Sequence, residues 1–281
     1  MVEVCLIVKN ESALLSRCLD SVKGLPLTIV DTGSKDNTIE IAKSYGAKVH
    51  RFEWQDDFSL ARNHAISKCT NEWILVIDAD EVLTKGLDLL KDFKGDKDVY
   101  SINMVSEDGT SKHNSARLFR NNGIKYKGAI HEVLDKLAED SLDITIQYGY
   151  SPAHELDPDI DFRILKRIVK ENHDLIRERF YLAREYFYKG QWAKCITQLD
   201  KYIKVATWLP ERNEAYLLKA KCLDQLGKYE EACDSVWGAL KYNANFKEAL
   251  VFLANHMDKT NGDKWREFSE LADNSEVLFV R

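Results

Sequence analysis

The residues best suited to chemistry are Asp78, Asp80 and Glu81, which follow the apolar run Trp73-Ile74-Leu75-Val76-Ile77. A run of that length and residue type predicts a buried strand, and its end delivers three carboxylates into a loop. Two aspartates separated by the small Ala79 can turn their oxygens toward one hard cation, which keeps open positions for phosphate oxygens. By itself an Asp-x-Asp is more often an ordinary acidic turn, so the elements around it decide its meaning.

Upstream, Val2 to Val8 reads as a strand, followed by Lys9-Asn10-Glu11 and a helical pattern through Leu14, Leu15, Leu19 and Val22. A second apolar run, Leu27 to Val30, ends on Asp31-Thr32-Gly33-Ser34-Lys35-Asp36-Asn37-Thr38. A helix with Ile39, Ile41 and Ala42 and a short strand at Ala47-Lys48-Val49 come next. This alternation predicts a parallel sheet with helices on its faces. Ligands of such sheets bind at the carboxyl ends of strands, where Asp31 and Asp78 both fall. Gly33 permits a tight turn, and Asp36 or Asn37 can cap the following helix. Asp36 is as suited to capping as to ligand binding; Asp31, at the strand tip, is the better ligand candidate.

Four motifs in this order, Leu6 to Glu11, Ile29 to Ser34 with Asp36 and Thr38, Asp57 to Asn63, and Ile77 to Glu81, resemble the family-two glycosyltransferases of the GT-A fold. The spacing resembles the branch in which tetratricopeptide repeats follow the catalytic domain, the branch of the sublancin-type peptide S-glycosyltransferase. The resemblance covers about half the chain. It implies that Asp31 receives the base or ribose of a nucleotide-sugar, that Asp78 lies near ribose and diphosphate, and that Asp80 holds Mn²⁺ or Mg²⁺. A metal on the leaving diphosphate would stabilise its developing charge without proton transfer. Val8, Asn10, Glu11, Gly33, Asp36, Ala79 and Arg117 are placed at the same donor site, with a UDP-sugar as the expected donor. Arg62 could pair with the diphosphate or hold an aspartate in place; the alternative is a surface arginine on an amphipathic helix. Asn63 and His64 read as structural.

Beyond the acidic loop, Asp98 to Val105 and Ser115 to Arg120 alternate apolar and polar residues as half-buried strands do. The segment Gly128-Ala129-Ile130-His131-Glu132 after an Arg-Leu-Phe run looks like the acceptor side of the active site in the same branch. An inverting transferase needs a base for the acceptor's proton; Glu132 is the first candidate and His131 the second. Relatives in the branch tend to carry a histidine before Tyr-Gly-Tyr, where this chain has Gln147. His154, a few residues on, is the substitute candidate for metal or diphosphate.

Ser151 to Pro158 holds two of the four prolines, and everything after it reads helical. The expected division is therefore an α/β GT-A domain over 1–155 and an all-α, tetratricopeptide-like array over 156–281. Ala183, Tyr186, Gly190, Trp192, Cys195 and Leu199 form one repeat; Ala220, Leu223, Gly227, Tyr229, Ala232, Val236 and Ala239 form the next. A weaker unit begins near Phe246, as a capping end would. The aromatic stripe is expected to be core. Helix pairs of this kind present a surface suited to a peptide or to a second copy of the chain.

A chain of 281 residues with 44% apolar and 31% charged residues suits two globular units. The net charge of -6 argues against broad nucleic-acid binding. Six cysteines without a CxxC pair point to buried free thiols in a reducing compartment. No cleavable leader or membrane span is expected, so the expected location is cytoplasmic and any lipid-carrier contact peripheral. The reading favoured is a metal-dependent inverting transferase acting on a peptide, protein or glycan. Its rivals are a pyrophosphorylase, whose Gly-rich basic N-terminal loop is missing, a transferase for modified DNA bases, and a non-catalytic repeat scaffold.

Overall fold

The computed structural model describes residues 1–256 and 259–272, and of residues 154 and 259–261 the backbone alone. The chain forms two compact units, Met1–Ile160 and Asp161–Arg281, dividing a few residues beyond the proline-marked boundary.

The first unit is built on strands β1 (Val2–Val8), β2 (Leu27–Asp31), β3 (Lys48–Arg51), β4 (Trp73–Val76), β5 (Glu81–Lys85), β6 (Val99–Ser106), β7 (Lys112–Arg120) and β10 (Asp140–Tyr148). Two short strands, β8 (Tyr126–Lys127) and β9 (Val133–Leu134), form a separate hairpin. Helices α1 (Leu15–Ser21), α2 (Thr38–Ser44), α3 (Phe58–Ile66) and α4 (Leu87–Lys91) complete it. The large sheet runs in the order β3-β2-β1-β4-β7-β6-β10-β5. The first four of these strands are parallel, and β7 enters antiparallel to both β4 and β6. This is the mixed, helix-flanked sheet that the resemblance implies.

Alternation along the strands sends side chains to two cores. Leu6, Ile29, Leu75, Tyr100, Ile102 and Leu118 meet Leu15, Leu19 and Leu90 on one face. Val30, Ile74, Val76, Val99 and Phe119 meet Ala65 and Ile66 of α3, with Tyr126 and Leu134, on the other. A fully buried leucine or valine removed from water contributes about 1.5–3 kcal/mol, so these faces fix the register. Strands β5, β8, β9 and β10 lay outside the sequence reading. Strand β5 begins on Glu81 itself and pairs with β10, so the third acid of the motif opens a strand.

The second unit is helical: α5 (Ile160–Glu171), α6 (Ile176–Tyr188), α7 (Trp192–Ile203), α8 (Leu209–Gln225), α9 (Tyr229–Leu240), α10 (Lys247–His256) and α11 (Lys259–Leu271). The glycines of the two sequence repeats, Gly190 and Gly227, take left-handed conformations that close α6 and α8. Ala183, Cys195, Leu199, Ala220, Ala232, Val236 and Ala239 are buried, as the repeat pattern predicts. The aromatic stripe divides: Tyr186 is core, whereas Tyr229 is 59% exposed because it stands at the first position of α9. Among the described residues no helix is long and apolar enough to cross a membrane.

Candidate active site

Parallel pairing sets Val8 beside Asp31 and Cys5 beside Val76, so the loops after β1, β2 and β4 leave the same edge of the sheet. The first two loops are laced together. Asn10 N–H donates to Ser34 Oγ (2.9 Å), Lys35 N–H to Asn10 Oδ1 (2.8 Å) and Glu11 N–H to Thr38 Oγ1 (2.8 Å). Asp31 is 3% exposed and accepts from Gly33 and Ser34 N–H, both at 3.1 Å. That turn requires Gly33 at φ +115°, a conformation costly for any residue with a Cβ. Asp36 accepts from Ser12 N–H and from both the N–H and hydroxyl of Thr38. Burial works to raise its pKa, but the Thr38 and Ser12 hydrogen bonds prevail and hold it below the usual carboxylate value. Of the two capping candidates Asp36 serves, while Asn37 makes no side-chain cap. Glu11 accepts from the Ser151 hydroxyl at 2.6 Å.

Asp78 lies in the turn between β4 and β5. The turn closes on itself: Asp78 N–H donates to Glu81 Oε2 (2.8 Å) and Glu81 N–H to the Asp78 carbonyl (3.1 Å). Two guanidiniums then clasp the Asp78 carboxylate. Arg62 Nη2 donates to Oδ2 at 3.2 Å, and its Nη1 stands 3.0 Å from Oδ1, an ion pair out of line for a hydrogen bond. Arg117 Nη1 donates to the same Oδ2 at 3.3 Å, and its Nη2 to Glu81 Oε1 at 2.9 Å. Arg117 reaches inward because the β6–β7 register slips between Tyr100 and Ser101, leaving it in a bulge between Ala116 and Leu118.

Burial disfavours charge on Asp78, yet Arg62 and Arg117 hold its carboxyl well below the usual range. Glu81 goes the other way. Burial pushes it up to about 7 despite Arg117, with Asp78 and Asp80 adding repulsion.

Helix α3 places Arg62. The Asp57 side chain caps it by accepting from Leu60 N–H at 3.0 Å, and Phe58 N–H donates to the Ala129 carbonyl. The helix start is thus tied to the segment carrying Glu132. Gly128 (φ +100°) and His131 (φ +51°) turn that segment tightly. Glu132 is directed inward to accept from Arg62 Nε at 2.5 Å, whereas His131 is exposed. Glu132 therefore sits in a turn between β8 and β9. Asn63, one residue along α3, pins β8 by bonding Tyr126 N–H and carbonyl at 2.8 and 2.9 Å, which is a structural role.

Asp80 is half-buried in the same turn, beside the motif's small Ala79, which is buried. Its carbonyl accepts from Arg17 Nη2 at 3.2 Å, and Arg17 Nη1 pairs with Glu107 at 3.1 Å. Gln147 donates to the Glu107 carbonyl at 3.3 Å, which engages it in the β6–β7 hairpin. The side chain of His154 lies outside the described residues. Among those described, no cluster of three or more His, Cys, Asp or Glu is arranged around a metal position. The donor set nevertheless fits a cation carried mainly by a diphosphate: Asp80 supplies a carboxylate, and phosphate oxygens and water fill the remaining positions. Asp78, clasped by two cations, fits that role less well.

The structure thus brings together Arg62, Asp78, Arg117 and Glu132, while Val8, Asn10, Glu11, Asp31, Gly33 and Asp36 form a neighbouring laced rim. Arg17 and Tyr126 were not singled out from sequence, and Glu81 was named there only as the third carboxylate of the motif. Glu81 carries its own signal as a buried-strand acid next to an Asp-x-Asp. Tyr126 carries none, since aromatic residues at strand starts are common.

The profile of the family described as "Glycosyl transferase family 2" matches residues 3–147. A TPR repeat-containing protein of Synechococcus elongatus is 39% identical over 142 residues, covering 48% of this chain and 35% of that protein. The SPbeta prophage-derived glycosyltransferase SunS of Bacillus subtilis is 36% identical over 140 residues, 45% of this chain and 33% of SunS. The matched region is thus about a third of the length of these curated relatives. A crystal structure of S. aureus TarS 1–349 with UDP aligns at TM-score 0.46 and 18% identity, over 79% of this chain and 88% of that one. With the family profile covering just over half of its residues, the chain belongs to glycosyl transferase family 2, and its first unit is a glycosyltransferase domain.

Proposed function

We propose that the protein transfers a sugar from a nucleotide-sugar, with a UDP-sugar as the first donor to test, to a peptide, protein or glycan acceptor, with inversion at the anomeric carbon. The observation that carries the reading is the shared use of Arg62, which joins Asp78 at the strand end to Glu132 beside a cavity. One guanidinium thereby sets the distance between the donor-side carboxylate and a carboxylate able to take a proton.

Asp31 and the laced loops shape the nucleoside end of the site. Asp80 would hold a divalent cation, Mn²⁺ or Mg²⁺, which when bound neutralises charge on the leaving diphosphate. Glu132, oriented by Arg62 and lining the cavity, is positioned to accept the proton of the acceptor nucleophile. Arg62 and Arg117 keep Asp78 ionised and fixed, so the site needs no rearrangement as charge develops. Helix pairs of the second unit offer an extended surface for a polypeptide or for a second copy of the chain.

Calorimetric titration with UDP and a panel of UDP-sugars, with Mn²⁺ and with EDTA, tests this reading. Metal-dependent binding of UDP supports it; absence of binding by UDP and by every UDP-sugar of the panel overturns the UDP-sugar reading.

A further inference from the structure

Both guanidinium partners of Asp78 also wall a cavity of about 160 Å³, lined as well by Ser115, Tyr126, Glu132 and, at its open rim, Val133. At about 30 Å³ per water it holds on the order of five waters. Pockets that enclose a whole drug-sized ligand are larger, about 300–1,000 Å³, so this one suits a single small ring rather than a nucleoside diphosphate.

Its charges are already matched. Arg62 faces Asp78 and Glu132, and Arg117 faces Asp78 and Glu81, so two cations meet three carboxylates. No surplus positive charge remains in the wall for an anionic group, and an incoming carboxylate would stand beside Glu132. The hydroxyl of Tyr126 is different. Tyr126 is 7% exposed, lines the cavity, and its hydroxyl makes no hydrogen bond among the described residues. Its backbone is held on both sides by Asn63, its ring lies under Arg62 at 5.5 Å and edge-on to Phe119 at 6.3 Å. A phenol so fixed cannot swing away to find a partner. Burial also pushes it up to about 12, which keeps the O–H available as a donor.

We propose that this cavity is the subsite for the transferred group, that the group is an uncharged, hydroxyl-bearing sugar ring, and that the Tyr126 hydroxyl selects it by hydrogen bonding. The proposal rests on the nucleotide-sugar reading above. It excludes uronic acid donors, whose carboxylate would be placed against Glu132 without a cation of its own.

The test compares dissociation constants of the full chain, with Mn²⁺, for UDP, for UDP-glucose, UDP-galactose and UDP-N-acetylglucosamine, and for UDP-glucuronate. The tightest neutral donor should bind at least about tenfold better than UDP-glucuronate. Tyr126→Phe should weaken that neutral donor about three- to tenfold and leave UDP unchanged. Val133→Phe, at the exposed rim, should narrow the cavity with the same outcome, and tests the subsite independently if Tyr126→Phe misfolds. Equal binding of glucuronate and neutral donors overturns the proposal, as does an unchanged ratio of UDP-sugar to UDP in both variants. Failure of the wild type to bind UDP at all overturns the UDP-sugar reading and this proposal with it.

Discussion

Arg62 Nε donates to Glu132 Oε1 at 2.5 Å across 70 positions of sequence. The other end of the same guanidinium holds Asp78. Both side chains of the Arg62–Glu132 pair are 11% exposed, so the pair is only lightly screened by solvent. Substituting Arg62 leaves Glu132 a buried charge without its partner, whereas substituting Glu132 leaves Arg62 still paired with Asp78.

Arg62→Ala should therefore destabilise the first unit by about 3–5 kcal/mol and remove activity. Arg62→Lys should restore little of either, because an ammonium cannot bridge two carboxylates with fixed geometry. Chemical denaturation of both variants and of the Arg62→Ala, Glu132→Gln double variant checks this. Strict additivity of the two single substitutions would mean the pair contributes nothing.

Glu132→Gln keeps the shape of the turn and removes the base. Donor binding should persist while turnover falls by about two to four orders of magnitude. If saturating rate is unchanged and donor affinity falls instead, Glu132 belongs to the donor site and His131, exposed one residue away, becomes the leading base.

Asp80→Asn should abolish the Mn²⁺-dependent part of UDP binding and lower transfer by on the order of a hundredfold or more. The fold should survive, as shown by an unchanged circular dichroism spectrum. Binding that is equally tight in EDTA would remove the metal from the account.

Much of this arrangement was legible in the sequence because strand ends announce themselves. Leu27 to Val30 and Trp73 to Ile77 are apolar runs, and the acids that follow them had to fall at one edge of a parallel sheet. Arg62 was placed by the helical pattern after Asp57. What the sequence left open was long-range pairing. Arg117 reaches Asp78 because of a register slip in β7, and Tyr126 becomes a cavity wall because Asn63 pins its backbone. Neither a bulge nor a side-chain pin changes hydrophobic periodicity, so neither leaves a mark in it. The exposure of Tyr229 likewise depends on its place at the first position of α9.

In the helical unit, burial and the neighbouring Glu248 push Glu214 up to about 7, against the pull of Lys221 and Arg184. A carboxyl raised above its unfolded value contributes stability that is complete below that value and is lost as pH rises through 7. Glu214→Gln mimics the neutral form. Its melting temperature relative to wild type should therefore rise between pH 5 and pH 8, about one unit or more on either side of the transition. A difference that stays constant over that range would show that Glu214 titrates normally.

Sugar transfer is read most directly from release of UDP from UDP-sugars by the full chain with Mn²⁺, measured for wild type and Asp80→Asn with and without candidate acceptors. The wild type should release UDP slowly and metal-dependently from at least one neutral UDP-sugar, release it faster when the acceptor is present, and lose both in the variant. Release at the same rate from Asp80→Asn, or none from any UDP-sugar by a wild type shown to be folded, would contradict metal-dependent transfer.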